Sequence, residues 1–245
     1  NDAPIVANAI SDQSPNEDAA FSFAIPANAF SDEDGDTLTY SVTLSDGSAL
    51  PSWLTFYAAT KTLSGTPLND DVGSIEVKVT ASDGTVSTTD TFTLTVVNTN
   101  DDPTALTLSA SAIDENTAGG ELGDLTTTDV DVGDTHTYTL SGADADSFEV
   151  VGGKLKFKSS VTPDYETKSS YAVIVTTTDA AGSALAQSFS VTINDVNEAP
   201  TSISLSANAI DENAAAATVG TLTSVDPDAN DTVTLALSGT DADSF

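Results

Sequence analysis

The chain contains an internal repeat. Residues 103–148 and 200–245 align without a gap at an offset of 97 residues, and 27 of the 46 aligned positions carry the same residue. A fixed period of this kind indicates an array of units that fold in the same way. Asn/Asp-rich runs closed by Pro4, Pro103 and Pro200 punctuate the array at intervals of 99 and 97 residues. Each interval has the size of one immunoglobulin-like β-sandwich.

Strict alternation of apolar and polar residues predicts strands within these units. Ile75, Val77 and Val79 alternate with Glu and Lys in the first unit, and Tyr171 and Val173 belong to a similar run in the second. Val, Ile, Phe and Thr favour strands, and Asp-Gly pairs between the runs favour turns. No segment has a helical period of useful length. We therefore predict an all-β chain of tandem antiparallel sandwiches with about seven strands each.

The repeat also sets the predicted domain boundaries. We expect one sandwich over residues 1–101, a second over 102–198, and the N-terminal half of a third over 199–245. The third ends at Phe245, the counterpart of Phe148, so the strands that complete the second domain have no equivalent in it. The sequence leaves open whether this half domain is truncated or is split by an inserted domain.

The charge of the chain excludes several classes of partner. The sequence holds 38 acidic residues against six lysines, has no arginine, and carries a net charge of −32. Nucleic acids and anionic membranes require basic surfaces, so neither is an expected partner. Cysteine is absent, which excludes disulfides and zinc-thiolate sites. No apolar run is long enough for direct membrane insertion. The acidic composition has three possible explanations: solubility or adaptation to a salty habitat, intrinsic disorder, or a supply of metal ligands.

The positions of the acids favour metal ligands. The first copy of the repeat holds nine acidic residues and seven recur in place, whereas other positions drift, as in the exchange of Asp124 for Thr221. Ca²⁺ binds six to eight oxygen ligands, mostly from carboxylates and carbonyls. Acids that recur while the other aligned positions differ therefore predict Ca²⁺ coordination at domain ends. Asp144 and Asp146 also recur, but the segment Gly142-Ala143-Asp144-Ala145-Asp146 indicates a turn with local side-chain hydrogen bonds.

Catalysis has little support in the sequence. His136 is the only histidine, and its repeat counterpart is Val233. Ser-His-Asp and Cys-His arrangements therefore lack parts, and no phosphate-binding glycine loop is present. Paired carboxylates are plentiful, but they cluster at the predicted domain ends rather than in a recognisable cleft. We do not expect an enzyme.

The second unit resembles cadherin repeats. Five elements carry the resemblance in the family's order, and they are Asp114-Glu115-Asn116, Asp129-Val130-Asp131, Asp164-Tyr165-Glu166, Thr178-Asp179-Ala180-Ala181-Gly182 and Asp195-Val196-Asn197-Glu198-Ala199-Pro200. The first unit resembles the related dystroglycan-type cadherin-like module through Phe30–Tyr40, Leu50-Pro51-Ser52-Trp53-Leu54 and Ser64-Gly65-Thr66-Pro67. The second linker is one residue shorter than the animal form.

The resemblance implies two sets of Ca²⁺ ligands, one for each joint between domains. The set implied for the first joint is Glu17, Asp70 or Asp71, Asn98, Asn100, Asp101, Asp102, Asp129, Asp131 and Asp179. The set implied for the second joint is Glu115, Asp164, Glu166, Asp195, Asn197, Glu198, Asp226 and Asp228. Because the linkers depart from the family's pattern, the number of ions per joint stays open.

The resemblance also implies a function. Acidic, cysteine-free tandem modules of this kind are similar to the extender regions of large bacterial surface adhesins, which Ca²⁺ makes rigid. The expected location is then extracellular, at the bacterial cell surface, and the expected partners are neighbouring repeats of the same long chain and a peptide, glycan or cell-surface ligand. Two alternatives remain: a peptide- or glycan-binding module in the first domain, and a spacer of a secreted polysaccharide-degrading enzyme.

Overall fold

The computed structural model describes residues 1–212, 215–229 and 231–242. The chain divides into two compact units. Unit 1 comprises Asn1–Asp102 together with the short segment Asp129–Asp134, and unit 2 comprises Pro103–Thr128 and Thr135–Phe245.

Unit 1 contains eight strands in antiparallel sheets. These are β1 (Ile5–Val6), β2 (Phe21–Ala24), β3 (Phe30–Ser31), β4 (Thr39–Leu44), β5 (Leu54–Tyr57), β6 (Thr62–Gly65), β7 (Gly73–Ser82) and β8 (Ser87–Val96). One sheet has the order β2-β6-β5, another β4-β7-β8, and β1 pairs with β3. A short 3-10 turn at Asn69–Asp71 precedes β7. Unit 1 thus has eight strands where about seven were predicted, and two of them, β1 and β3, have only two residues each.

The core of unit 1 follows the alternation seen in the sequence. Val77 and Val79 of β7 and Leu94 of β8 are completely buried, while the residues between them face outward. Trp53 is half-buried against this core. Gly65 makes that arrangement possible, since a Cβ at this position would lie 1.8 Å from the Trp53 carbonyl oxygen.

Unit 2 contains a complete two-sheet sandwich. Its strands are β9 (Ala105–Leu108), β10 (Ala112–Asp114), β11 (Glu121–Thr128), β12 (Thr137–Ser141), β13 (Phe148–Val151), β14 (Lys154–Phe157), β15 (Ser170–Thr178) and β16 (Ala184–Asn194). The sheets have the orders β13-β14-β11-β9 and β10-β16-β15-β12. All pairs are antiparallel except β10 with β16, which run parallel. Leu155, Phe157, Val173, Val175 and Val191 fill the space between the sheets.

The recurring Asp144 forms hydrogen bonds with residues outside the turn that was predicted to contain it. Its carboxylate accepts hydrogen bonds from the backbone N–H of Ala172, on β15, and from the Lys168 ammonium. The Lys168 hydrogen bond and then the Ala172 N–H lower the pKa of Asp144. The segment forms a turn, as predicted. The prediction of local side-chain hydrogen bonds was wrong for Asp144, because its loop packs against a strand almost thirty residues further along.

The described part of the third repeat contains one antiparallel pair of strands. β17 (Ser202–Leu205) pairs antiparallel with β18 (Leu222–Val225). Leu205 and Leu222 remain exposed, whereas Leu125, the counterpart of Leu222 in the second repeat, is buried. Asp243, the repeat counterpart of Asp146, lies outside the described residues. No helix among the described residues is long and apolar enough to cross a membrane.

Candidate metal centre

Glu17 is a buried carboxylate beneath the first linker. The segment before it pairs in parallel with the end of β8 through Gln13–Leu94 and Asn16–Val97 bridges. Because β8 continues into the linker, this pairing places the side chain of Glu17 directly under the linker. Glu17 is 1% exposed, its Oε1 accepts the N–H of Thr99 at 2.7 Å, and its Oε2 is buried without a hydrogen-bond partner. A buried, half-satisfied carboxylate is costly unless a cation is supplied.

Two more carboxylates meet Glu17 within unit 1. Oxygen atoms of Glu17, Asp101 and Asp131 lie within 4.8 Å of one another. Asp131 is buried and accepts hydrogen bonds from the Asn98 side chain and the Asp101 N–H, both at 2.8 Å. Its own N–H is donated to Asp129 Oδ1 at 3.1 Å. Four of the predicted ligands of the first joint, Asn98, Asp101, Asp131 and Glu17, are therefore in direct or near contact.

Asn100 and Asp102 take different positions in the same linker. Asn100 and Asn98 line a cavity of about 230 Å³ beside Asp131, and the Asn100 amide donates a hydrogen bond to the Asp101 carbonyl. Asp102 is exposed. The assignment of Asp102 to the metal site remains a prediction.

The turn at Asn69–Asp71 contributes a residue that sequence reasoning missed. The Asn69 amide donates a hydrogen bond to Asp101 Oδ2 at 2.7 Å. Asp71 instead turns back and accepts the N–H of Leu68 at 3.0 Å. Asp70 and Asp71 also line a separate cavity beside Trp53. Their role as metal ligands stays a prediction, and only their neighbour Asn69 is seen in contact with the cluster. No repeat signal could have singled out Asn69, since the first domain has no second copy in the chain.

Glu115 occupies the position in unit 2 that Glu17 occupies in unit 1. It directly follows β10, which runs parallel to β16, the strand that leads into the second linker. Glu115 is 3% exposed, and its two oxygens accept the N–H groups of Val196 and Tyr165 at 2.8 and 2.7 Å. Oxygen atoms of Glu115, Asp164 and Glu166 lie within 4.8 Å of one another. A short parallel pairing thus places one glutamate under each linker.

A second group of carboxylates adjoins the first through Glu166. Oxygen atoms of Glu166, Glu198 and Asp228 lie within 4.8 Å of one another, and Asp228 Oδ2 accepts the Glu198 N–H at 2.6 Å. The Asp228 N–H is in turn donated to Asp226 Oδ1 at 3.2 Å. Asp226 Oδ2 and Asp228 Oδ1 are buried and have no hydrogen-bond partner. Asn116 donates to Glu198 Oε1 at 2.7 Å. Asn116 was not predicted, although its recurrence beside Glu115 in the repeat is a signal that could have found it.

Desolvation and neighbouring negative charges raise two pKa values in the second cluster. Desolvation, followed by the hydrogen bond and charge of Asp228, raises the pKa of Asp195. The pKa of Glu166 is raised as well, since desolvation and the charges of Glu115, Glu198 and Asp195 outweigh its own backbone hydrogen bond. Within the described part of the chain, none of these five carboxylates forms an ion pair with a lysine. The cluster is therefore a site of uncompensated negative charge.

A shallow cavity opens beside this cluster. It measures about 220 Å³ and is lined by Asp195, Asn197, Asp228, Ala229 and Asp231. Asn197 donates its amide N–H to the Glu198 carbonyl. Its side-chain oxygen thereby remains available as an acceptor or ligand. All eight predicted ligands of the second joint thus lie in or directly beside the two clusters of unit 2.

Asp179 closes a turn within unit 2. It is buried, and its Oδ1 accepts the N–H groups of Gly182 and Ser183 at 2.6 and 2.8 Å. These bonds fix the connection between β15 and β16. Its assignment to the first joint stays a prediction.

The donor sets fit a hard divalent cation. Both clusters offer carboxylate oxygens, supplemented by amide oxygens from Asn residues and backbone carbonyls. Ca²⁺ and Mg²⁺ prefer such ligands, and Ca²⁺ accepts the larger and less regular coordination number that an irregular linker can supply. The buried oxygens of Glu17, Asp226 and Asp228 that lack hydrogen bonds are the atoms that such an ion would satisfy.

Comparisons with known proteins bear on the fold. Residues 3–97 match the sequence family described as "Putative Ig domain". The structure is similar to human CDH23 EC21-23, with a TM-score of 0.66 and 20% identity, covering 89% of this chain and 79% of that one. The chain adopts tandem immunoglobulin/cadherin-like β-sandwiches. The prediction of an all-β fold built from such sandwiches is confirmed.

Two further similar structures come from cadherins of different kinds. Protocadherin gammaB7 EC3-6 gives a TM-score of 0.65 at 19% identity, covering 94% of this chain and 57% of that one. Drosophila N-cadherin EC1-4 gives a TM-score of 0.61 at 16% identity, with coverages of 79% and 50%. This chain therefore spans about half of the length of these two structures. At such identities the likeness concerns the fold alone, and no curated protein matches the chain.

Proposed function

We propose that this protein is a Ca²⁺-stiffened segment of an extracellular adhesion protein, with Ca²⁺ held at the linkers that follow β8 and β16. The supporting observation is that Glu17 and Glu115, in domains of different sequence, are both buried beneath a linker and both accept a linker N–H. Two domains that each bury a glutamate beneath a linker point to a common ligand. The cadherin-like fold supports an extracellular role.

The proposed ligands divide between the two linkers. For the first, Glu17, Asp101 and Asp131 form the centre, with Asn98, Asn100 and Asp129 beside them. For the second, Glu115 and Glu166 lie at the centre, and the remaining residues of the set are Asp164, Asp195, Asn197, Glu198, Asp226 and Asp228. Ca²⁺ supplies a divalent charge that neutralises several carboxylates at once.

The stiffening follows from electrostatics. In the absence of a cation, the clustered carboxylates repel one another and favour linker conformations that separate them. Residues from the domain, the linker and the following repeat must come together to hold an ion, so binding restricts the backbone dihedrals of the linker. Extracellular Ca²⁺ modules have dissociation constants of about 10⁻⁴–10⁻³ M, so they are filled outside the cell and empty in the cytosol. The proposed parent is a large bacterial surface adhesin.

Limited proteolysis at Glu198 tests this proposal. A glutamyl endoprotease, which needs no metal, should cut after Glu198 in the presence of chelator, because the free linker can adopt the extended conformation a protease requires. We expect Ca²⁺ to protect this bond. Glu212 is exposed and lies outside both clusters, so cleavage there serves as an internal control that Ca²⁺ should not affect. Equal cleavage after Glu198 with and without Ca²⁺ would contradict the proposal.

A further inference from the structure

Unit 1 has a cavity whose chemistry differs from that of the metal cluster. It encloses about 330 Å³ between the start of β7, the end of β8 and the segment before β5. Pockets that hold small ligands typically measure about 300–1,000 Å³. This volume lies near the lower end of that range, so the cavity can hold a small organic group.

Both apolar and acidic residues line this cavity. Pro51, Trp53 and Ile75 contribute apolar surface, and Asp70 and Asp71 contribute carboxylates. A ligand that satisfies both must carry a hydrocarbon part and a polar head. The side chain of lysine has this character, since its methylene stem packs on apolar surface while its ammonium stays at a polar edge.

The negative charge of the cavity indicates that the polar head of the ligand is a cation. No lysine forms an ion pair with Asp70 or Asp71 in the part of the chain that the structure describes. Asp70 is exposed, and Asp71 accepts one backbone N–H, from Leu68. The net charge of −32 repels anions and attracts cations towards the whole surface. The indole of Trp53 adds a ring to which cations are attracted when they approach its face.

We infer that the cavity formed by Trp53, Ile75, Asp70 and Asp71 binds the lysine side chain of a partner polypeptide. The stem lies against the apolar wall, and the ammonium is held between the two carboxylates. The partner is therefore a protein with an exposed, basic segment. This inference is independent of Ca²⁺ at the linkers, and it gives a chemical class to a ligand of the first domain.

Tryptophan fluorescence provides a direct test, because Trp53 is the only tryptophan in the chain. The full chain is titrated in excess chelator with N-acetyl-lysine amide. We expect a saturable change in emission with a dissociation constant on the order of 1–10 mM, as a single ammonium with a short stem supplies only a few kcal/mol. N-acetyl-norleucine amide has the same stem without the charge and should produce no saturable change.

Two variants locate the binding. Asp70→Asn removes one carboxylate from an exposed position with no recorded hydrogen bond, so folding should be unaffected, and the affinity should fall about threefold, the scale of one exposed ion pair. Glu76→Gln makes the same change in charge on the exposed face of β7, outside the cavity, and should leave the affinity unchanged.

Several outcomes would overturn the inference. An equal response to the norleucine and lysine amides would show a purely apolar pocket, and a response only to methyl glycosides would show a glycan site. A third case is distinguished by repeating the titration in Ca²⁺. If Ca²⁺ abolishes the lysine response and Asp70→Asn weakens Ca²⁺ binding, the two aspartates belong to the metal site.

Discussion

Replacement of Glu17 by Gln should stabilise the metal-free protein and reduce the additional stability that Ca²⁺ provides. The side chain is 1% exposed, and only Oε1 has a hydrogen-bond partner, the N–H of Thr99. Gln keeps that acceptor and replaces Oε2 by an amide that can donate to Asp101 or Asp131, whose oxygens lie within 4.8 Å. The change therefore removes a buried charge from the metal-free protein and a ligand from the metal-bound one.

The magnitudes follow from these contacts. Leaving a buried polar atom without a partner costs about 1–3 kcal/mol, so Glu17→Gln should stabilise the chelated protein by about 1 kcal/mol or more. For the unchanged protein, Ca²⁺ at about one hundred times its dissociation constant adds about 2.7 kcal/mol. Loss of one carboxylate ligand that weakens binding tenfold removes about 1.4 kcal/mol of that gain.

Denaturant unfolding monitored by Trp53 fluorescence measures both effects, because Trp53 packs against the core of unit 1. Each protein is unfolded in chelator and in about 10 mM Ca²⁺, which is about one hundred times the tight end of the expected range. Glu76→Gln is the matched control, since Glu76 is exposed on β7 and accepts only the Thr93 hydroxyl. The control should respond to Ca²⁺ as the unchanged protein does.

Two results would refute the reasoning. A Glu17→Gln variant that is destabilised in chelator would show that the buried carboxylate is satisfied without a cation. A variant that retains the full Ca²⁺-dependent gain would show that the ion, if bound, does not use Glu17.

Three further predictions concern other parts of the chain. Gly65→Ala should destabilise unit 1 by about 2 kcal/mol or more, because its Cβ would lie 1.8 Å from the Trp53 carbonyl oxygen; an unchanged unfolding midpoint by fluorescence would contradict the packing. Asp144→Ala should lower the calorimetric melting temperature of unit 2 through the loss of about 1–3 kcal/mol, since the Ala172 N–H and the Lys168 ammonium lose their acceptor; a melting temperature equal to that of the unchanged protein would contradict this role. In chelator, Asp195→Asn should stabilise unit 2 at neutral pH, because the folded state raises the pKa of Asp195 and its charged form therefore favours unfolding. The gain in the free energy of unfolding should shrink as the pH falls through that raised pKa towards the ordinary value of 3.8. A gain that is independent of pH would exclude titration of Asp195 as the cause.

The strands were predictable because their signal is local. In a half-buried strand every second side chain enters the core, so Val77 and Val79 could be placed in the core from the sequence, and both are completely buried. The extra edge pair of β1 and β3 has two residues per strand, too few for a period to appear. Irregular loops carry no such period, and the contact of Asp144 with β15 was missed for that reason.

The metal centre was predictable only in part. Motif resemblance identified Glu17 and Glu115, since an acid at this point is a sequence feature. It did not identify Asn69, whose amide donates to Asp101, because that contact depends on how a turn and a linker pack together. Asn116 belongs to the motif Asp114-Glu115-Asn116 and recurs in the repeat, but it was not included in the predicted ligand set, and its amide donates to Glu198.

A crystal structure grown in about 10 mM Ca²⁺ tests the central claim most directly. We predict a strong peak with oxygen contacts of about 2.3–2.6 Å to Glu17 at the first linker, and a second peak contacting Glu166 and Asp228 at the second. Well-ordered linkers with only water at these oxygens would contradict the account, and the acidic side chains would then serve the solubility of the surface alone.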